Sequence, residues 1–272
     1  MTEGADASTF SDVPSENATG TGGGDRRTRK REARRDHLLD LAAELVEAGG
    51  VSAVTMAALA EAADYAPASL YTYFASRSAL IAALQHRALV TLGQVAQDHL
   101  ALWNASLYAA EPAVPHDVAA LARLWAFSDL FLSAPQHHPH EFRLQQQLLV
   151  TPGVEDTADA ATVVPQAMYV LDVPRQLLAA AVEAGALEAS SPPEDPLTQP
   201  IDGAIARTLA WVVALNGALL TESLTTGLPT TPAALGHQLT SGLLRGWGAR
   251  PEPLASARQL AHTWATDLGE TP

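Results

Sequence analysis

Apolar residues recur at helical spacing along most of this chain, and strict alternation over strand-length stretches is rare. Leu38, Leu41, Ala42, Leu45 and Val46 form one such stripe, which Gly49-Gly50 should stop. Thr55 stands where a side-chain oxygen can accept an unpaired N–H of a short helix from Met56 to Ala63. Asp64 follows at a position that must turn, and Asp tolerates left-handed backbone better than most residues. Pro67 suits the first turn of a second short helix, ending near Tyr73 or Phe74. Leu70 and Phe74, four positions apart, share its inward face. Ser76 can then cap a long helix that carries Leu80, Leu84, Leu89, Leu92 and Val95 and reaches about Trp103.

The remaining pattern predicts longer helices near 116–133, 139–150, 164–187, 199–227, 232–247 and 252–268. Pro112, Pro115, Pro135, Pro152, Pro192-Pro193, Pro196, Pro229 and Pro251 mark the joints. Pro165 and Pro174 fall near the 164–187 helix, so a kink or a later start is expected there. The reading is an all-α chain of about nine to ten helices. Ala and Leu dominate, which favours helix. With no cysteine, disulfides and thiolate metal sites are excluded. No apolar run approaches the roughly 20 residues that cross a bilayer, and the N-terminus lacks a secretion-signal pattern. A cytoplasmic location is the expectation.

A net charge of −14 argues at first against nucleic acid, but its distribution reverses that. Residues 1–25 hold five acids and no base, and residues 104–272 hold seventeen acids and seven bases. Seven of the sixteen bases lie between Arg26 and Arg35. The chain is therefore expected to divide into an acidic, Gly-rich disordered tail (1–24), a basic arm with its helical head (25–80) and an acidic helical body (81–272). An arm of Arg26, Arg27, Arg29, Lys30 and Arg31 suits phosphates or an adjacent minor groove.

Two short helices joined by a tight turn and followed by a long helix make a helix-turn-helix, whose second helix can enter a major groove. The run Thr55-Met56-Ala57-Ala58-Leu59-Ala60-Glu61-Ala62-Ala63, then Ala68-Ser69-Leu70-Tyr71-Thr72-Tyr73-Phe74-Ala75-Ser76-Arg77, resembles the TetR family of one-component transcriptional regulators. The likeness spans about Leu38 to Leu84. It implies that Thr55, Tyr73 and Arg77 contact phosphates, Arg77 taking the place of a usual Lys, and that Ala66, Pro67, Ala68, Ser69, Tyr71 and Thr72 face the groove. Asp64 stands where the family usually has Gly, and Ala66 where it has a Ser cap. Pro67 and Ala68 offer bases no side-chain hydrogen bonds, so readout should lean on Ser69, Tyr71, Thr72, thymine methyls and DNA shape.

The resemblance further implies a C-terminal ligand pocket and a dimer seam, with no cofactor, no metal and no catalytic residues. Pocket candidates are Trp103, Trp125, Phe131, Phe142, Gln145, Gln146 and Trp211. Seam candidates are Ile205, Leu209, Val212, Leu215, Leu235, Leu239 and Leu243. A two-fold dimer matches a palindromic operator. A ligand-responsive repressor released by an apolar effector is the leading expectation, with an activator or a ligand-independent regulator of the same fold as the alternative. His137, His138 and His140, with Glu141, invite a zinc hydrolase reading. They lack the spacing of a helical metalloprotease motif, and a polar joint leading into a helix explains them more simply. A protein-binding helical adaptor is the third class considered.

Overall fold

The computed structural model describes residues 22–150, 157–189, 203–221, 227 and 229–267, and among these every regular element is helical. The order is α1 (Gly22–Gly49), a 3-10 turn (Val51–Ala53), α2 (Met56–Ala62), α3 (Pro67–Leu70), α4 (Arg77–Ala109), α5 (His116–His137), α6 (Pro139–Val150), α7 (Thr157–Glu183), α8 (Gly203–Leu219), α9 (Pro232–Gly246) and α10 (Pro251–Asp267). The expected tail lies outside the described residues up to position 21. Gly22–Gly24, assigned to it by composition, open α1 instead. The joints at Pro152, Pro192-Pro193 and Pro196 also lie outside.

Local chemistry explains the helix boundaries near the N-terminus. Gly50 takes φ 72°, a left-handed value that ends α1 at little steric cost. Ser76 Oγ accepts from Ala79 N at 3.0 Å and starts α4, which runs to Ala109, beyond the expected Trp103. The break expected at Pro135 does not occur, and α7 starts earlier than expected rather than later. Pro135 sits inside the last turn of α5, and α7 starts at Thr157 and passes through both Pro165 and Pro174. Each proline removes one helical N–H. In α7 the loss is offset by burial of Val163, Val173, Leu177, Leu178 and Ala181.

Two main apolar clusters form. The first joins Leu38, Leu39, Ala42 and Val46 of α1 to Val54, Leu59, Leu70, Phe74, Leu80 and Leu84, and it also takes in Leu144 from α6. The second unites α4, α5, α7, α8, α9 and α10 around Leu121, Leu124, Phe127, Trp211 and Leu215. The division expected at residue 80 falls inside α4, whose first turns belong to one cluster and whose Ala96 and Trp103 belong to the other. Within the second cluster a buried polar chain ties three helices: Trp211 Nε1 donates to Thr240 Oγ1 (3.2 Å), which lies 3.0 Å from Ser128 Oγ. Gly236 lets α9 approach α5 closely, since a Cβ there would come within 2.5 Å of Leu132.

Helix α5 is long and apolar enough to cross a membrane by length and composition, contrary to the reading of the sequence. Two-thirds of that stretch (67%) is buried inside the body, as in the core helix of a helical bundle.

Candidate nucleic-acid interface

The head is assembled from contacts only a few residues apart. Thr55 Oγ1 accepts from Ala58 N at 3.0 Å, capping α2 and leaving its hydroxyl proton free to donate. Asp64 adopts φ 55° in the turn, and Tyr65 N closes it on Ala60 O at 2.9 Å. Ala66 provides no side-chain cap, and Pro67 is the first residue of α3. That helix is short. After Leu70 the chain continues as turns, with Tyr73 N and Phe74 N both bonded to Leu70 O.

Leu70 and Phe74 are buried as expected, which leaves Ala66, Pro67, Ala68, Ser69, Tyr71 and Thr72 exposed. Tyr71 shows 55% of its surface and Tyr73 packs half-buried against the head core. Thr72 Oγ1 donates to Ser69 O at 2.7 Å, so its proton is committed to the backbone of α3. The groove-facing donors are thus fewer than residue types alone suggest.

Arg77 has a second task that spacing did not reveal. Its Nε donates to Val54 O (2.6 Å) and its Nη2 to Val51 O (2.8 Å), clasping the segment that leads into α2. Carbonyls at a helix or 3-10 end need such partners. The guanidinium of an otherwise exposed residue therefore holds the head together with two of its donors.

The basic arm is helical, since Arg26, Arg27, Arg29, Lys30 and Arg31 all lie on the exposed first turns of α1. The arm is not uniform. Arg29 pairs with Asp25 at 2.9 Å. Arg31 Nη2 donates to Thr72 O at 2.9 Å, and the Arg35 guanidinium lies 5.2 Å from the centre of the Phe74 ring. Arg31 and Arg35 thus brace the end of the reading helix, whereas Arg26, Arg27 and Lys30 remain exposed to solvent.

Behind the head lies a largely apolar cavity of about 730 Å³, mouth included, walled by α4, α5, α6, α7 and α8. Phe131, Phe142 and Gln145 line it as expected. Gln146 lines a neighbouring, more polar cleft instead. The tryptophans do not line it, because each has found a packing partner elsewhere. Trp103 stacks on Trp264, Trp125 lies beneath the Arg258 guanidinium, and Trp211 is fully buried in the core. Their size favours filling the core over lining a void. Sequence reasoning missed Phe127, Leu92 and His137 as lining residues. Only the helix register of α4 and α5 could have signalled them.

The seam candidates divide in the same way. Leu209 and Leu239 are exposed, and Ile205, Leu235 and Leu243 are half-buried. Val212 faces the cavity and Leu215 is fully buried, so neither is available to a partner. Periodicity alone cannot tell which apolar stripe of α8 faces inward. The outward stripe is Leu209, Ala210, Val213, Gly217 and Leu220, beside Leu239 and Gly242 of α9. Among the described residues no group of three or more metal-ligating side chains converges. His140 pairs with Glu141, and His137 Nδ1 lies against Ser133 O.

A family profile described as bacterial regulatory proteins, tetR family, matches residues 38–84. Comparison with curated proteins gives no match. The fold is similar to a TetR-family transcriptional regulator from Agrobacterium tumefaciens, at 18% identity and a TM-score of 0.53 over 80% of this chain and 100% of that one. It is also similar to SmeT, the repressor of the Stenotrophomonas maltophilia multidrug efflux pump SmeDEF (15% identity, TM-score 0.52, 80% of this chain and 92% of that one). A third likeness is the fatty acid degradation regulator FadR from Bacillus halodurans (16%, 0.51, 80% and 97%). Residues 38–84 thus match the DNA-binding region of the tetR family of bacterial regulatory proteins, and the chain shares the fold of TetR-family transcription regulators.

Proposed function

We propose that the protein is a ligand-responsive repressor that binds a palindromic operator as a homodimer and leaves it when a small apolar effector fills the cavity. The carrying observation is the double service of α6. Phe142 and Gln145 line the cavity, while Leu144, 1% exposed, is buried in the head core. Between them, Arg143 Nη1 donates to Val46 O (2.8 Å) and Glu47 O (3.0 Å), the last carbonyls of α1. A ligand that displaces α6 therefore has a short mechanical route to the head.

The exposed uncharged stripe on α8 and α9 supports the dimer. Ala210, Gly217 and Gly242 would let two such faces approach closely, and burying Leu209, Val213, Leu220 and Leu239 supplies the apolar gain. Thr55, Tyr73 and the exposed bases of α1 would hold phosphates, and Ser69 and Tyr71 would meet base edges.

Band shifts on the DNA upstream of the chain's own gene test this reading. Tyr73→Phe should weaken binding to every sequence, and Ser69→Ala should change sequence preference. Val213→Glu should convert the dimer to a monomer in sedimentation and abolish operator binding. Binding that is insensitive to sequence, or full affinity in a monomeric variant, would refute it.

A further inference from the structure

The cavity is chemically two-sided. Leu92, Val95 and Val170 give its α4 and α7 walls a mainly hydrocarbon surface, with His99 the polar exception, whereas the end at the α5–α6 elbow carries Ser133, His137, His138 and Gln145. None of the lining residues is Asp, Glu, Lys or Arg. Gln145 Oε1 is buried with no hydrogen-bond partner. Buried polar atoms are normally satisfied, so an orphan beside a cavity marks a place for a ligand atom. His137 Nδ1 lies 3.2 Å from Ser133 O. A carbonyl only accepts, so Nδ1 carries a proton and donates it to Ser133 O. The Ser133 hydroxyl already donates to Leu130 O at 3.1 Å. The protons of the Ser133 hydroxyl and of His137 Nδ1 are thus committed to carbonyls, Gln145 Oε1 is unmet, and no Lys or Arg lines the cavity to match a carboxylate.

Resting on the effector reading above, we propose that the effector is a neutral amphipathic molecule, an apolar body with a hydroxyl head that donates a hydrogen bond to Gln145 Oε1. An anion would be desolvated without a partner. A plain hydrocarbon would leave the carbonyl unmet. The head would thereby engage α6 at the residue next to Leu144, which is anchored in the reading head.

Calorimetric titration of the full chain with 4-propylphenol, propylbenzene, 4-propylanisole and 4-propylbenzoate tests this. The four share one body and differ in the head. The phenol should bind about tenfold tighter than propylbenzene, the worth of one hydrogen bond to an otherwise unmet acceptor. The anisole, which accepts but cannot donate, should gain nothing, and the benzoate should bind most weakly. In Gln145→Leu, with its helical melt checked, the phenol should lose its advantage while propylbenzene binds at least as well. Equal affinity of phenol and propylbenzene would overturn the head-group assignment and leave the cavity reading standing. So would an anisole or benzoate that binds as tightly as the phenol, or a phenol preference that survives in Gln145→Leu. Binding of no member of the series would overturn the cavity reading and this assignment together.

Discussion

The reading head and the helical body are built by different rules. In the head, a cap, a left-handed turn and a first-turn proline each act over three or four residues. Among the described residues, one buried side-chain polar atom without a partner lies on α4 beside the head core, at Gln85, and the others are at Trp125, Glu141, Gln145 and Asn216 in the body. The body is held by long-range packing, and it leaves cavities and unmet atoms. A surface that presents fixed geometry to DNA has little tolerance for slack, whereas the ligand response proposed for the body requires empty space and unsatisfied chemistry. The two are joined at α6, and that joint is the place to break the contrast.

The largest effect should come from Leu144→Ala. This side chain belongs to the body by sequence and to the head by packing. Truncating a fully buried Leu costs about 2–5 kcal/mol. Chemical denaturation should show that loss, and amide exchange should speed up in α1 and the first turns of α4. If protection falls only in the body, the head is independent of α6 and the proposed route for ligand release fails.

Next is Arg77→Ala, which removes the donors to Val51 O and Val54 O. Val51 O keeps the Val54 N–H, so the loss falls mainly on Val54 O; a carbonyl without its partner costs about 1–3 kcal/mol, toward the low end here because water can reach the site. Melting temperature should fall and DNA affinity should fall with it. A variant that loses affinity at unchanged stability would show that Arg77 serves phosphate alone. Thr55→Ala should cost less, about 1 kcal/mol for a lost helix cap. A thermal melt with no change would mean that Ala58 N is satisfied by water.

These contrasts also explain what was legible in the sequence. The Thr55 and Ser76 caps, the turn at Asp64 and the start at Pro67 depend on neighbours in the chain, so residue type and spacing reveal them. The all-helical architecture and the match of residues 38–84 to the tetR profile followed from the same local signals. The position of Leu144 was not legible, because the other buried residues of its cluster lie between Leu38 and Ala88, more than 50 positions earlier in the chain. The Arg77 clasp spans 23 and 26 positions, and the Ser128–Thr240 contact spans 112. The assignment of Trp211 to a pocket and Val212 to a seam failed for a related reason. On a helix apolar nearly all round, periodicity does not say which stripe meets the core, the cavity or a partner. Pro165 and Pro174 misled because local propensity was overridden by burial of the residues around them.

The smallest effect separates two neighbours on α1. Lys30 is exposed and available to phosphate, whereas Arg31 is bonded to Thr72 O at the end of the reading helix. Losing one phosphate contact should lower the salt dependence of binding by about one unit of slope and weaken every sequence alike. That is the expectation for Lys30→Ala. A four-residue helix is marginal by itself and depends on what holds its ends. Arg31→Ala should therefore leave the slope nearer that of the unaltered protein and flatten the discrimination among operator variants at the bases facing Ser69 and Tyr71. Arg31→Lys should not restore that discrimination, because a single ammonium lacks the planar fork that reaches the carbonyl. Band shifts over a salt series on a panel of operator variants measure both quantities at once. If the two alanine variants behave alike, the basic helix is a uniform phosphate grip and Arg31 has no positioning role.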